Sequence, residues 1–142
     1  PNDNFDLEKS HVLPALIRKF HEAKAGDQPF VEVWGSGKPM REFLHVDDLA
    51  EACMVLMEKY EDRQFVNVGF GADISIADLA RLIADITEFR GEIRFNTSRP
   101  DGTMKKLMDS TRIHSLGWKP KIDLKSGISS TYKHYTADRI LA

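Results

Sequence analysis

The 142-residue chain carries 20 Lys and Arg against 22 Asp and Glu, a formal net charge of −2, with 42% hydrophobic residues. That length and composition suit one soluble domain with a core and leave no room for a second, and the near-neutral balance excludes a broad nucleic-acid-binding face, so any basic site has to be local. The single cysteine, Cys53, excludes an internal disulfide and a cysteine-based zinc site, and no apolar run reaches about eighteen residues, so the expected setting is the cytoplasm.

In chain order, the opening Pro1-Asn2-Asp3-Asn4-Phe5 is turn-rich, has no initiator methionine, and reads as the interior of a longer chain. Leu13, Leu16, Ile17 and Phe20 recur at helical spacing and predict an amphipathic helix to about Lys24, with Ser10 as its cap and Pro14 confined to the first turn. Residues 30–34 alternate Val31 and Val33 against Phe30, Glu32 and Trp34, which predicts a strand ended by Gly35. Residues 44–46 are a candidate for a very short strand. Asp48 with Glu51 reads as a capping box, and Val46, Leu49, Ala50, Cys53, Met57 and Tyr60 line one face of the helix behind it, which assigns Cys53 to core packing rather than nucleophilic chemistry.

Residues 65–68 read as a buried strand closed by Gly69-Phe70-Gly71, and Ser75 with Asp78 opens a helix carrying Ile76, Leu79, Leu82, Ile83 and Ile86. Residues 93–95 are a third strand candidate. A polar loop over 96–103 contains the turn Arg99-Pro100-Asp101-Gly102, a short helix over 110–116 stops at Gly117, and Asp123 caps a last helix with Leu124, Ile128, Tyr132 and Tyr135 on one side. Strands alternating with helices predict an α/β domain, a small mixed sheet with flanking helices.

The chemistry concentrates in Trp34-Gly35-Ser36-Gly37-Lys38-Pro39-Met40-Arg41-Glu42-Phe43-Leu44-His45-Val46-Asp47-Asp48. Glycines let backbone approach a ligand and one guanidinium supplies the best fork for phosphate oxygens, a combination that suggests a nucleotide-sugar site. Arg41 is otherwise a surface ion pair with Glu42 or Asp47, and Trp34 is either core or a ring that stacks on a base or sugar. Asp101 is most simply a turn residue and Lys19 a solvated charge. His11, at a helix start, either faces a cleft or is merely exposed. His45 reads as a hydrogen-bonded structural residue, and His114 and His134 as structural or solvated. Gly35-x-Gly37 and Gly69-x-Gly71 both lack the third glycine of a dinucleotide fingerprint, with Met40 and Ile74 in those places, and the five histidines have no zinc-binding spacing, so no metal is expected.

Several segments together resemble the C-terminal half of the GDP-L-fucose synthases, a family of extended short-chain dehydrogenase/reductases. They are Pro1-Asn2-Asp3-Asn4-Phe5, Ser10-His11-Val12-Leu13-Pro14-Ala15-Leu16, the run from Trp34 to Asp48, Val66-Asn67-Val68-Gly69, Arg99-Pro100-Asp101-Gly102 and Leu116-Gly117-Trp118. The resemblance spans nearly the whole chain. The Gly-x-Gly-x-x-x-Arg-x-Phe-x-His-Val run marks the reductase/epimerase superfamily, and the Ser-His-Val-Leu-Pro-Ala-Leu segment with Trp-Gly-Ser-Gly-x-Pro-Met-Arg-Glu-Phe narrows it.

The resemblance implies that residues 1–142 are a single substrate-binding domain lacking an N-terminal NADP-binding Rossmann half. The family converts GDP-4-keto-6-deoxy-D-mannose to GDP-L-fucose by epimerisation at C3 and C5 and NADPH-dependent reduction at C4. By the same resemblance His11 is the acid/base group and also borders the cofactor. Lys19, Trp34, Arg41 and Asp101 contact the GDP-sugar, and Lys106 is a weaker phosphate candidate. The glycine-rich loop, the Tyr-x-x-x-Lys pair and the remaining catalytic groups lie upstream, so the chain alone is expected to be inactive, the complete enzyme to be a homodimer, and an apolar patch near the helix starting at Asp48 to mark where the other half sits. Lys19 stands where the family usually has arginine, and Arg99 where a lysine commonly precedes Pro-Asp-Gly. Another nucleotide-sugar epimerase or dehydratase, or a stand-alone nucleotide-sugar-binding module, is the alternative.

Overall fold

A computed structural model describes residues 3–140, with side chains described through residue 137. Pro1 and Asn2 of the opening motif lie outside the described residues. Helix α1 (Val12–Ala25) is followed by β1 (Phe30–Trp34), β2 (Met40–Glu42), α2 (Val46–Lys59), β3 (Asp73–Ser75), α3 (Ile76–Thr87), β4 (Glu92–Asn96), β5 (Lys105–Lys106), α4 (Thr111–Ser115) and α5 (Leu124–Ile140). The expected α/β architecture is present, its strands divided between two small sheets. β1 and β4 pair in parallel, Val31 opposite Ile93 and Val33 opposite Phe95. β2 is the centre of the second sheet, antiparallel to β3 and parallel to β5, which sets Arg41 opposite both Ile74 and Lys106.

The main core forms where the helical stripes meet the inward side of β1. Leu16, Ile17 and Phe20 of α1 and Leu79 and Ile83 of α3 bury against Val31 and Val33, and Ile128 and Tyr135 of α5 close the cluster. Phe20 meets Phe89 edge-on at 5.5 Å between centroids, a preferred aromatic arrangement. Ser75 caps α3 as expected, its hydroxyl accepting from Asp78 N–H at 3.0 Å, and Asp123 opens α5 by accepting from Ser126 N–H at 3.0 Å.

Five expectations need correction. α1 is capped by His11 rather than Ser10, whose hydroxyl donates to the Asp6 carbonyl instead. Residues 44–46 are not a strand. The strand lies earlier, at β2. The chain enters α2 at Val46 with His45 as cap, Nδ1 accepting from Asp47 N–H at 3.2 Å, so the expected Asp48–Glu51 capping box does not form and the Asp48 carboxylate accepts from Lys121 and Ile122 N–H instead. Residues 65–68 form no strand either, because no neighbouring strand pairs with them, and Phe65 is 83% exposed. Cys53 is exposed rather than core.

This last correction extends to the whole face. Helical spacing correctly groups Val46, Leu49, Cys53 and Met57, yet that stripe points outward, with Met57 81% exposed. Asp48 and Ala52 are the residues turned inside. Ala52 packs with Ile113 and Trp118 in a second, smaller cluster. The apolar patch expected around this helix is therefore on the surface. Among the described residues no helix is long and apolar enough to cross a membrane.

Candidate functional site

A cleft of about 690 Å³ opens between the start of α1, the strand β2 with the segment after it, and the start of α5, and it takes in His11, Arg41, His45 and Lys106. His11 ends up there because it is the helix cap: its extended backbone turns the side chain out of the helix, the imidazole makes no capping hydrogen bond, and it is exposed. Arg41 is carried by the middle of β2, and parallel pairing brings Lys106 alongside it. α5 can close the far wall because Gly127 has no side chain; a Cβ there would lie 3.2 Å from His45 Cδ2.

Arg41 is half-buried and makes no ion pair among the described residues, against its simplest surface reading. Its Nη1 donates to the Met40 carbonyl at 2.7 Å. The two carboxylates next to it in sequence are engaged elsewhere. Glu42 accepts from Gly71 N–H at 2.6 Å and Met108 N–H at 3.0 Å, and Asp47 lies 3.7 Å from His45 Nδ1. The guanidinium therefore keeps donors for a ligand.

A second group sits beside the first. Lys19 is half-buried, its ammonium donating to the Glu32 carbonyl at 3.1 Å and lying 4.8 Å from the centre of the Trp34 ring, so it is not the solvated charge that default reading gives. Burial holds its pKa below the usual 10.5, Glu32 acting against that and Arg99 with it. Trp34 is 45% exposed at the end of β1. Asp101 accepts from Ser36 N–H at 2.5 Å and Ser36 Oγ–H at 2.8 Å, bonds that hold its carboxyl below the usual 3.8. It pins the 35–37 turn, where Gly35 and Gly37 both have positive φ. The turn joins the two groups, since a Cβ at Gly102 would lie 3.7 Å from Arg41 Nη2.

Two contributors carry no sequence signal of their own. Glu42 looks like any exposed acid yet ties the 69–71 turn and the chain after β5 to β2. Arg99 looks like a loop charge yet lies 4.8 Å from the Trp34 centroid.

Both Gly-x-Gly turns are filled from within. A Cβ at Gly69 would meet the Glu42 carboxylate within 2.5 Å, and the Asp101 carboxylate closes on Gly35. Each turn thus already faces a negative charge where a dinucleotide pyrophosphate would need donors, so these residues do not fit a nicotinamide cofactor's phosphates.

The sequence profile of the NAD dependent epimerase/dehydratase family matches residues 1–69. The chain is 52% identical over 135 residues to GDP-L-fucose synthase 1 of Arabidopsis thaliana, which covers 95% of the chain and 42% of that protein. It is 49% identical to GDP-L-fucose synthase of Escherichia coli K12, over 95% of the chain and 45% of that protein. A crystal structure of a GDP-L-fucose synthetase from Naegleria fowleri bound to NADP superposes with TM-score 0.92 at 29% identity, over all of this chain and 45% of that one. In sequence and in fold the chain is similar to enzymes of the NAD dependent epimerase/dehydratase family. More narrowly, it is similar from end to end to the C-terminal part of GDP-L-fucose synthases, spanning less than half the length of those relatives.

Proposed function

We propose that the chain is the substrate-binding domain of an enzyme that converts GDP-4-keto-6-deoxy-D-mannose to GDP-L-fucose. The observation that carries this reading is a cleft lined by the exposed His11 imidazole together with Arg41 and Lys106, side by side on paired strands. Protons next to a ketone become acidic when the enolate is stabilised, so epimerisation at C3 and C5 requires a group that takes and returns a proton there. His11 has that role, at a position that also borders the cofactor. Arg41 and Lys19 hold the diphosphate, with Lys106 a lesser contact beside Arg41, Trp34 packs at the nucleotide-sugar, and Asp101 serves the site by fixing the turn beside Arg41. NADPH supplies the hydride for C4 and is held mainly by a Rossmann half outside this chain. No reductive step is assigned to the residues described above.

The outward stripe of α2 is where that half docks, in a cytoplasmic enzyme that is a homodimer. Large exposed apolar faces usually mark an interaction site. Cys53 lies on the stripe and reports on it: maleimide labelling should be fast in the 142-residue chain and slower by on the order of tenfold or more in the full-length protein, because burial removes access to the thiol. Equal rates in both would remove the docking assignment.

Arg41→Ala in the full-length protein should weaken GDP-sugar binding by about 1.5–3 kcal/mol, the range for a hydrogen bond to a charged partner, with NADPH affinity unchanged. Calorimetric titration measures both. Undiminished substrate binding would end the phosphate role. Titration with GDP, UDP and dTDP separates this reading from another nucleotide-sugar epimerase, since only the first expects GDP to bind tightest.

A further inference from the structure

Trp34 carries two cations. Lys19 Nζ reaches its ring from α1 and the Arg99 guanidinium from the loop after β4, each 4.8 Å from the ring centroid. Two positive charges gathered on one ring repel each other, and the negative ring face offsets only part of that. Neither cation meets a carboxylate within ion-pair distance among the described residues, whereas Arg18, Lys24, Arg81, Arg94, Lys105 and Lys121 all do. The acid nearest Arg99 in sequence, Asp101, has both oxygens bonded to Ser36. Asp101 also precedes Gly102, where a Cβ would lie 3.7 Å from Arg41 Nη2, so the loop that carries Arg99 reaches the Arg41 guanidinium as well. A cluster of unneutralised cations of this kind matches the charge of a diphosphate.

We propose that Arg99 is a phosphate ligand in this chain, set with Lys19 on the Trp34 platform to grip the diphosphate of a nucleoside diphosphate; this rests on the nucleotide-sugar reading above. The division of labour follows from the side chains. Lys19 is a point charge with one donor already on the Glu32 carbonyl, whereas the Arg99 guanidinium presents a planar fork able to take two phosphate oxygens. Lys19 and Arg99 exchange the residue types expected at these two places from the family resemblance, so the fork moves from the helix to the loop. Trp34 then acts as the support for both cations rather than as a stacking surface for the base.

The test is calorimetric titration of the full-length protein and its variants with GDP and GMP at low salt, with thermal unfolding measured alongside. Arg99→Gln should weaken GDP binding by about tenfold or more and GMP binding less, without moving the unfolding midpoint. Arg99→Lys should recover part of the loss, and the double exchange Lys19→Arg with Arg99→Lys should return GDP affinity to the original level. GDP affinity unchanged in Arg99→Gln, or an equal loss for GDP and GMP with a lowered unfolding midpoint, would overturn the assignment. If Arg99→Gln is silent while Arg41→Ala weakens GDP binding, Arg99 loses its role and the nucleotide-sugar reading stands. If the unaltered protein binds none of GDP, UDP and dTDP, both fall together.

Discussion

Replacing His11 with glutamine in the full-length enzyme is expected to slow proton exchange at C3 and C5 of the keto-sugar by about 10²–10⁴, the usual worth of a positioned acid/base group. The substitution suits the site because the imidazole makes no hydrogen bond among the described residues. The helix it caps is started by its backbone, through the bond from Ala15 N–H to the His11 carbonyl, and the side chain makes no capping bond. Glutamine keeps a polar side chain of similar reach, so α1 and its buried stripe should be unaffected and thermal unfolding should not move. Hydride transfer at C4 needs no proton carrier of this kind, so reduction of the unepimerised ketone should persist. Solvent-deuterium incorporation into recovered substrate and product, read at each carbon, separates the steps. Full deuterium at both carbons in the variant would leave His11 as a contact residue and no more.

Most of the helices were legible because their signals are redundant. α3 has a capping serine, an acid three residues on, and an apolar stripe, and every one of these agrees with the structure. α2 was legible as a helix but not in its orientation. Periodicity shows that Val46, Leu49, Cys53 and Met57 share a face; it cannot show whether that face has a partner in the same chain, and here Asp48 and Ala52 turn inward instead. The second sheet was not legible at all, since β2, β3 and β5 are two or three residues long and too short for any alternation. Residues 65–68 make the converse point: a strand-like composition forms no strand without a neighbour to pair with.

The site divides in the same way. Arg41 stands out between glycines and an apolar run, and its lack of an ion pair follows from Glu42 being engaged by Gly71 and Met108, a tertiary fact invisible in sequence. Lys19, Trp34 and Arg99 come from a helix, a strand end and a loop, and nothing local announces that they meet. Lys106 is legible only as a charge, and the parallel register of β5 on β2 is what sets it beside Arg41.

Asp48→Ala should lower folding stability by about 2–5 kcal/mol and loosen the wall of the cleft. Asp48 is 2% exposed, and its carboxylate accepts from Lys121 N–H at 3.1 Å and 3.2 Å and from Ile122 N–H at 3.0 Å. These bonds fasten α2 to the segment that leads into α5. Alanine would leave two part-buried backbone donors without this carboxylate, each costing about 1–3 kcal/mol. Ile122 and Leu124 line the same cleft as His11 and Arg41, so the released segment is a wall of the site itself. Denaturant unfolding should therefore report the loss of stability, and amide exchange at Lys121 and Ile122 should accelerate more than exchange at Leu79 or Ile83 in the distant core. Asp47→Ala is the control, because the neighbouring carboxylate is 78% exposed and should change stability little. Equal stability of the two variants would show that the Asp48 bonds to residues 121 and 122 contribute nothing net, and the cleft wall would then owe its position to Gly127 packing on His45.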